Sequence, residues 1–200
     1  MGAASQIKTS LYSKMANVEA AFRNIHQDLL DGCKTGDQKA QFQIYKLYYK
    51  AMYNTSLRIV NDSMEAEDVM QESFLSAFEK IDTYSGTVSF GAWLKKIVVN
   101  RSLDALSRRK AIFEDIEFHV GIRDESNDDM VQKEEVDVRV EEVKEAINRL
   151  PDGYRIILSL YLLEGYDHDE IAEILSISSS TSRSQLSRAK QKLISELKNK

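Results

Sequence analysis

Apolar side chains recur three and four residues apart through much of this chain, and a single proline, Pro151, interrupts its 200 residues. That period belongs to helices, and proline is the residue that helix interiors tolerate least. Leu, Ile, Ala, Glu and Lys abound, and eight glycines are too few for a turn-rich β fold. With 42% hydrophobic and 30% charged residues, the chain can build a packed core. The expected fold class is all-α, and the length suits one domain or two small ones.

Several function classes drop out early. No apolar run reaches the roughly 18 residues needed to span a bilayer. The start, MGAASQIKTS, lacks the apolar core of a signal peptide, and Gln6 stands where myristoylation wants Ser or Thr. A lone Cys33 excludes an internal disulfide and a Cys-based zinc site. His26, His119 and His168 are scattered, without an HExxH pair. The expectation is a reduced, soluble, cytoplasmic protein that needs no metal or cofactor.

The net charge of −5 is unevenly spread. Lys95, Lys96, Arg101, Arg108, Arg109 and Lys110 face only Asp104 in one block, and Arg183, Arg188, Lys190, Lys192, Lys198 and Lys200 face only Glu196 in another. Between them, residues 111–145 carry thirteen acids and four bases. Basic blocks of this kind suit phosphate contacts, although one alone is more often a solvated helix face.

This pattern divides the chain. Residues 1–20 read as a mobile arm, with Met15 an alternative start. A helical domain spans 21–110, with breaks near Gly32–Asp37, Asn61–Ser63 and Tyr84–Ser89. Residues 111–135 read as an acidic linker, and a second helical domain spans 136–200, where Pro151 suits a first helical turn.

Three segments carry the functional signal. In DSMEAEDVMQESFLSAFEKID (62–82), Ala66, Val69, Met70, Phe74, Ala77, Phe78 and Ile81 form one apolar stripe. Glu65, Asp68, Glu72 and Glu79 form another face, with Leu75 in its midst. That face is either solvated surface or a dock for a basic partner with Leu75 as anchor. In YSGTVSFGAWLKKIVVNRSLDALSRRK (84–110), Tyr84, Phe90 and Trp93 lie close to Lys95, Lys96, Asn100 and Arg101. Aromatic faces stack bases and cations hold a backbone, so the mixture suits single-stranded nucleic acid. Phe90, Trp93, Leu94, Ile97 and Val98 equally fit a helix core.

The third segment, YDHDEIAEILSISSSTSRSQLSRAKQKLISEL (166–197), reads as a helix-turn-helix. Asp167 and Glu170 make an acidic capping box, Ser176–Ile177 the turn with Ile177 buried, and Ser178 the next N-cap. Leu186, Ala189, Leu193 and Leu197 point inward; Ser179, Ser180, Thr181, Arg183, Ser184 and Gln185 point outward, with Arg188, Lys190 and Lys192 suited to phosphates. Ser176 occupies the turn position that such motifs often give to glycine.

Together these segments resemble a sigma factor of the extracytoplasmic-function (ECF) group of the sigma-70 family. The resemblance covers about 37–110 and 136–200. It implies a region 2 domain, a linker and a region 4 domain, with core RNA polymerase and promoter DNA as partners and commonly an anti-sigma factor. It assigns Asp62, Glu65, Asp68, Gln71, Glu72 and Leu75 to polymerase docking. Tyr84, Ser89, Phe90, Trp93, Lys95, Lys96, Asn100 and Arg101 fall to the melted minus-ten strand. Ser179, Thr181, Ser182, Arg183, Gln185, Arg188 and Lys190 fall to the minus-thirty-five duplex. Ser182 and Gln185 depart from the usual Val and Arg, so promoter preference does not transfer. The family performs no chemistry of its own, and its linker passes through the RNA exit region, where acidity would mimic nucleic acid. Competing readings are a stand-alone helix-turn-helix regulator, a carboxylate metal hydrolase built on residues 65–72, and a scaffold.

Overall fold

The computed structural model describes residues 26–113 and 140–198. The expected N-terminal arm, nearly all of the acidic linker and the return of helical spacing at 136 lie outside the described residues. Within them are eight α-helices and no strand. They are α1 (Gln27–Lys34), α2 (Gln38–Val60), α3 (Ser63–Glu79), α4 (Phe90–Phe113), α5 (Val140–Arg149), α6 (Asp152–Leu158), α7 (His168–Leu175) and α8 (Ser179–Lys198). A 3-10 turn covers Ile81–Thr83, and a π-helical turn, Ser159–Leu163, continues α6.

Short polar residues set the helix boundaries. Asp37 starts α2, its carboxylate accepting from Lys39 N at 2.8 Å. Asn61 ends α2 in a left-handed conformation (φ 56°), which asparagine tolerates better than most residues. Asp62 then caps α3, accepting from Glu65 N at 2.9 Å. Pro151 stands one residue earlier than a first-turn proline, as the N-cap residue of α6.

Two compact units emerge. The first comprises the described residues up to Tyr53 together with Met70–Val98. Its core gathers Leu30, Ile44, Met52, Phe74, Phe90 and Leu94. The second comprises Asn54–Val69 and the described residues from Val99 onward. There α8 packs against α5, α6 and α7, and Leu186, Ala189 and Leu193 share a core with Ile59, Val99, Leu106 and Ile171. Long helices α2, α3 and α4 thus contribute residues to both units.

Candidate docking and nucleic-acid surfaces

The two faces of α3 follow its sequence pattern. Ala66, Val69, Met70, Phe74 and Ala77 are buried, with Phe78 partly so. Asp68, Gln71, Glu72 and Glu79 are exposed around Leu75, which is 65% exposed. Some of the expected docking residues have intramolecular duties. Asp62 caps the helix, and the Glu65 carboxylate accepts from Arg109 Nη1 at 2.7 Å. Arg109 also donates to Val60 O at 3.0 Å, so its guanidinium ties α4 to the end of α2.

The aromatic segment is a packed cluster. Tyr84, Phe90 and Trp93 lie 5.4–5.6 Å apart by ring centroids, and Tyr48 meets Phe90 edge-on at 5.5 Å. Gly91 permits that approach, because a Cβ there would stand 3.0 Å from Tyr48 Cε1. The Tyr84 hydroxyl donates to Val88 O at 2.7 Å and closes the 84–88 loop, and burial pushes its phenol up. Ser89 is the N-cap of α4, accepting from Ala92 N at 3.2 Å. Phe90 is only 5% exposed, which corrects the expectation that it faces a nucleic-acid strand. Its ring is a core element, whereas Tyr84 and Trp93 keep partly exposed faces. Lys96 and Asn100 are exposed, with Lys95 and Arg101 partly covered.

The helix-turn-helix has its expected caps. Asp167 Oδ1 accepts from Asp169 N and Glu170 N, both at 2.8 Å, while the Glu170 carboxylate accepts from Asp167 N at 2.9 Å. Ser178 Oγ accepts from Thr181 N at 3.0 Å at the start of α8. Ser176 sits at φ 54°, and Ile177 is half-buried rather than buried.

Two residues expected on the reading face lie inside. Ser182 is fully buried with its hydroxyl 2.9 Å from His168 Nδ1, and Gln185 is 7% exposed. Both belong to the stripe that continues through Leu186, Ala189 and Leu193. Ser179 hydrogen-bonds Asp169, and Thr181 shares a hydrogen bond of 2.7 Å with Ser178. Arg183 is exposed, and Arg188 is partly so. Lys190 stands over the Tyr161 ring at 5.4 Å, and Lys192 pairs with Glu196 at 3.5 Å.

Arg155 and Glu164, which the sequence reading does not single out, have side chains only 2% exposed. The Arg155 guanidinium donates to Ile59 O, Arg58 O and Asp152 Oδ1, and Arg58 pairs with Glu164. Their only sequence signal is a charged residue beside long apolar runs. Among the described residues, no three His, Cys, Asp or Glu side chains converge to hold a metal ion, and no helix is long and apolar enough to cross a membrane.

Comparison with known proteins matches these elements in order. Residues 44–112 match the family description of sigma-70 region 2, and residues 140–193 that of sigma-70, region 4. An acid-faced helix, an aromatic-basic segment and a helix-turn-helix in this order define a DNA-binding transcription initiation factor. The ECF RNA polymerase sigma-E factor of Haemophilus influenzae is 31% identical over 176 residues, covering 82% of this chain and 91% of its own. The ECF RNA polymerase sigma factor SigW of Bacillus subtilis is 29% identical over 173 residues, covering 82% and 92%. Among solved structures, the sigma factor RpoE in complex with the anti-sigma factor NepR from Bartonella quintana superposes with a TM-score of 0.55 at 25% identity, over 78% of this chain and 95% of that one. The chain belongs to the sigma-70 family, in its ECF group. Its function is promoter-specific transcription initiation with RNA polymerase.

Proposed function

We propose that this chain docks on core RNA polymerase through α3 and reads two promoter elements with its two regions. Region 2 occupies 21–110, an acidic linker 111–135, and region 4 136–200. Asp68, Gln71, Glu72 and Leu75 make the docking face, with Asp62 and Glu65 at its edge. Tyr84, Ser89, Trp93, Lys95, Lys96, Asn100 and Arg101 hold the melted minus-ten strand, with an extruded base against the exposed edges of Tyr84 and Trp93. Ser179, Thr181, Arg183, Arg188 and Lys190 meet the minus-thirty-five duplex, where Arg183 is the exposed cation nearest the start of α8. Ser182 and Gln185 act there through the fold.

The observation that carries this reading is the face of α3, where an exposed leucine stands among exposed acids on a helix whose other side is core. A leucine ringed by carboxylates fits a basic partner with an apolar socket. A stand-alone regulator leaves that patch without a use. The relative solved with an anti-sigma factor supports such a partner here, and a factor of this kind works in the cytoplasm beside polymerase and DNA.

Leu75→Asp tests the docking face. Affinity for core polymerase should fall about tenfold or more, as for a hot-spot anchor, with helical content unchanged. Unchanged affinity would move docking elsewhere on the chain.

A further inference from the structure

Polar contacts fasten the first turn of α8 to α7. Ser182 is fully buried, and its hydroxyl shares a hydrogen bond of 2.9 Å with His168 Nδ1. At the very start of α8 the Ser179 hydroxyl donates to an Asp169 carboxylate oxygen. Further along, Leu186, Ala189 and Leu193 enter the apolar core. Apolar burial has no preferred direction, whereas a hydrogen bond weakens steeply off its axis. The rotation of α8 at its start is therefore set by these polar contacts more than by the core.

His168 is itself held in place. Its ring stacks on Tyr161, with centroids 5.0 Å apart and planes at 27°. Tyr161 belongs to the π-helical turn after α6, and Lys190 of α8 stands over its ring at 5.4 Å. The column Ser182, His168, Tyr161, Lys190 thus begins and ends on α8, and it grips that helix at points about two turns apart. Arg183, an exposed cation, is the neighbour of Ser182 in the same turn. A bidentate arginine–guanine contact discriminates between bases by about fivefold or more, and it does so only while the guanidinium fork stays in line with the base edge.

We propose that His168 is a positioning residue for promoter reading. Through Ser182 it fixes the rotation of α8, and so decides which base-pair edges Arg183 meets in the minus-thirty-five duplex. The proposal rests on the two-element reading above.

The test uses the full-length protein with core polymerase, on a promoter that this holoenzyme fires and on every single-base-pair variant of its minus-thirty-five element. The readout is the ratio of initiation rates between the best and the worst base pair at each position, which does not depend on the amount of active protein. Arg183→Ala identifies the positions that Arg183 reads. His168→Phe keeps a stacking ring and removes the nitrogen, and discrimination at those same positions should fall about fivefold or more. His168→Asn, whose amide reaches the place of Nδ1, should keep most of it. His168→Phe combined with Ser182→Ala removes the stranded hydroxyl, and should regain the urea midpoint that His168→Phe loses but not the discrimination. Unchanged discrimination in His168→Phe overturns the proposal. So does a double variant that regains discrimination together with stability, since the contact would then be structural alone. Where His168→Phe loses helical content, Ser182→Ala alone must still lower the ratio at those positions, and no change overturns the positioning role. Failure of the underlying reading registers separately, as equal initiation from all variants by the unmodified protein or as an Arg183→Ala variant that loses no discrimination, and either result overturns the proposal with it.

Discussion

Ser182 turns a hydroxyl into the packed side of α8, where it meets His168 rather than DNA. The mixture of Ser, Thr, Arg and Gln at the start of that helix reads as an outward face by residue type. Period tells otherwise, since 182, 186, 189 and 193 lie on one stripe at helical spacing. Phe90 shows the opposite ambiguity, since an aromatic beside cations suits both a base and a core, and only its contacts with Tyr48, Tyr84 and Trp93 decide. Tyr166 supplies a residue-level prediction. Burial, with Glu164 and Glu170 nearby, pushes its phenol up to about 12. The folded state therefore keeps a proton that the unfolded state sheds near pH 10, so stability holds below pH 10 and falls between about pH 10 and 12. In denaturant titrations across that window, Tyr166→Phe should flatten the decline, and an unchanged slope would place it in other groups.

At the scale of elements, helix starts and stops were the most legible part of the sequence. Asp167 and Ser178 each sit at a helix N-terminus and accept from its backbone, because short polar side chains satisfy donors that the helix leaves open. The π-helical turn was not legible. Its residues, SLYLL, continue the apolar spacing of α6 and carry no Gly or Pro to mark the extra residue. Ser176 was legible as an oddity, and its left-handed backbone explains why glycine is favoured there. Ser176→Gly relieves about 1–2 kcal/mol of left-handed strain and loses about 0.4–1 kcal/mol to unfolded-chain entropy. A net gain of about 0.5–1 kcal/mol is expected in urea unfolding, and a loss would mean that the Ser176 side chain stabilises the turn.

At the scale of the whole molecule, the fold class, the order of regions and the acidic face of α3 were readable, because each rests on local period and local charge. The partners of the charges were not. Arg109 finds Glu65 forty-four positions away, and Arg155 finds Ile59 O ninety-six positions away. Nothing in linear sequence shows which cations of the first basic block take such long-range partners.

The central claim is that this chain chooses where RNA polymerase starts. Its most direct test is the mapping of RNA 5′ ends made by sigma-free core polymerase on genomic promoter fragments, with and without the protein. Discrete new starts should appear with it and vanish with Asp68→Lys combined with Glu72→Lys, two exposed acids of α3. Tight duplex binding by the protein alone, with no new starts, would contradict the account and leave a stand-alone DNA-binding regulator.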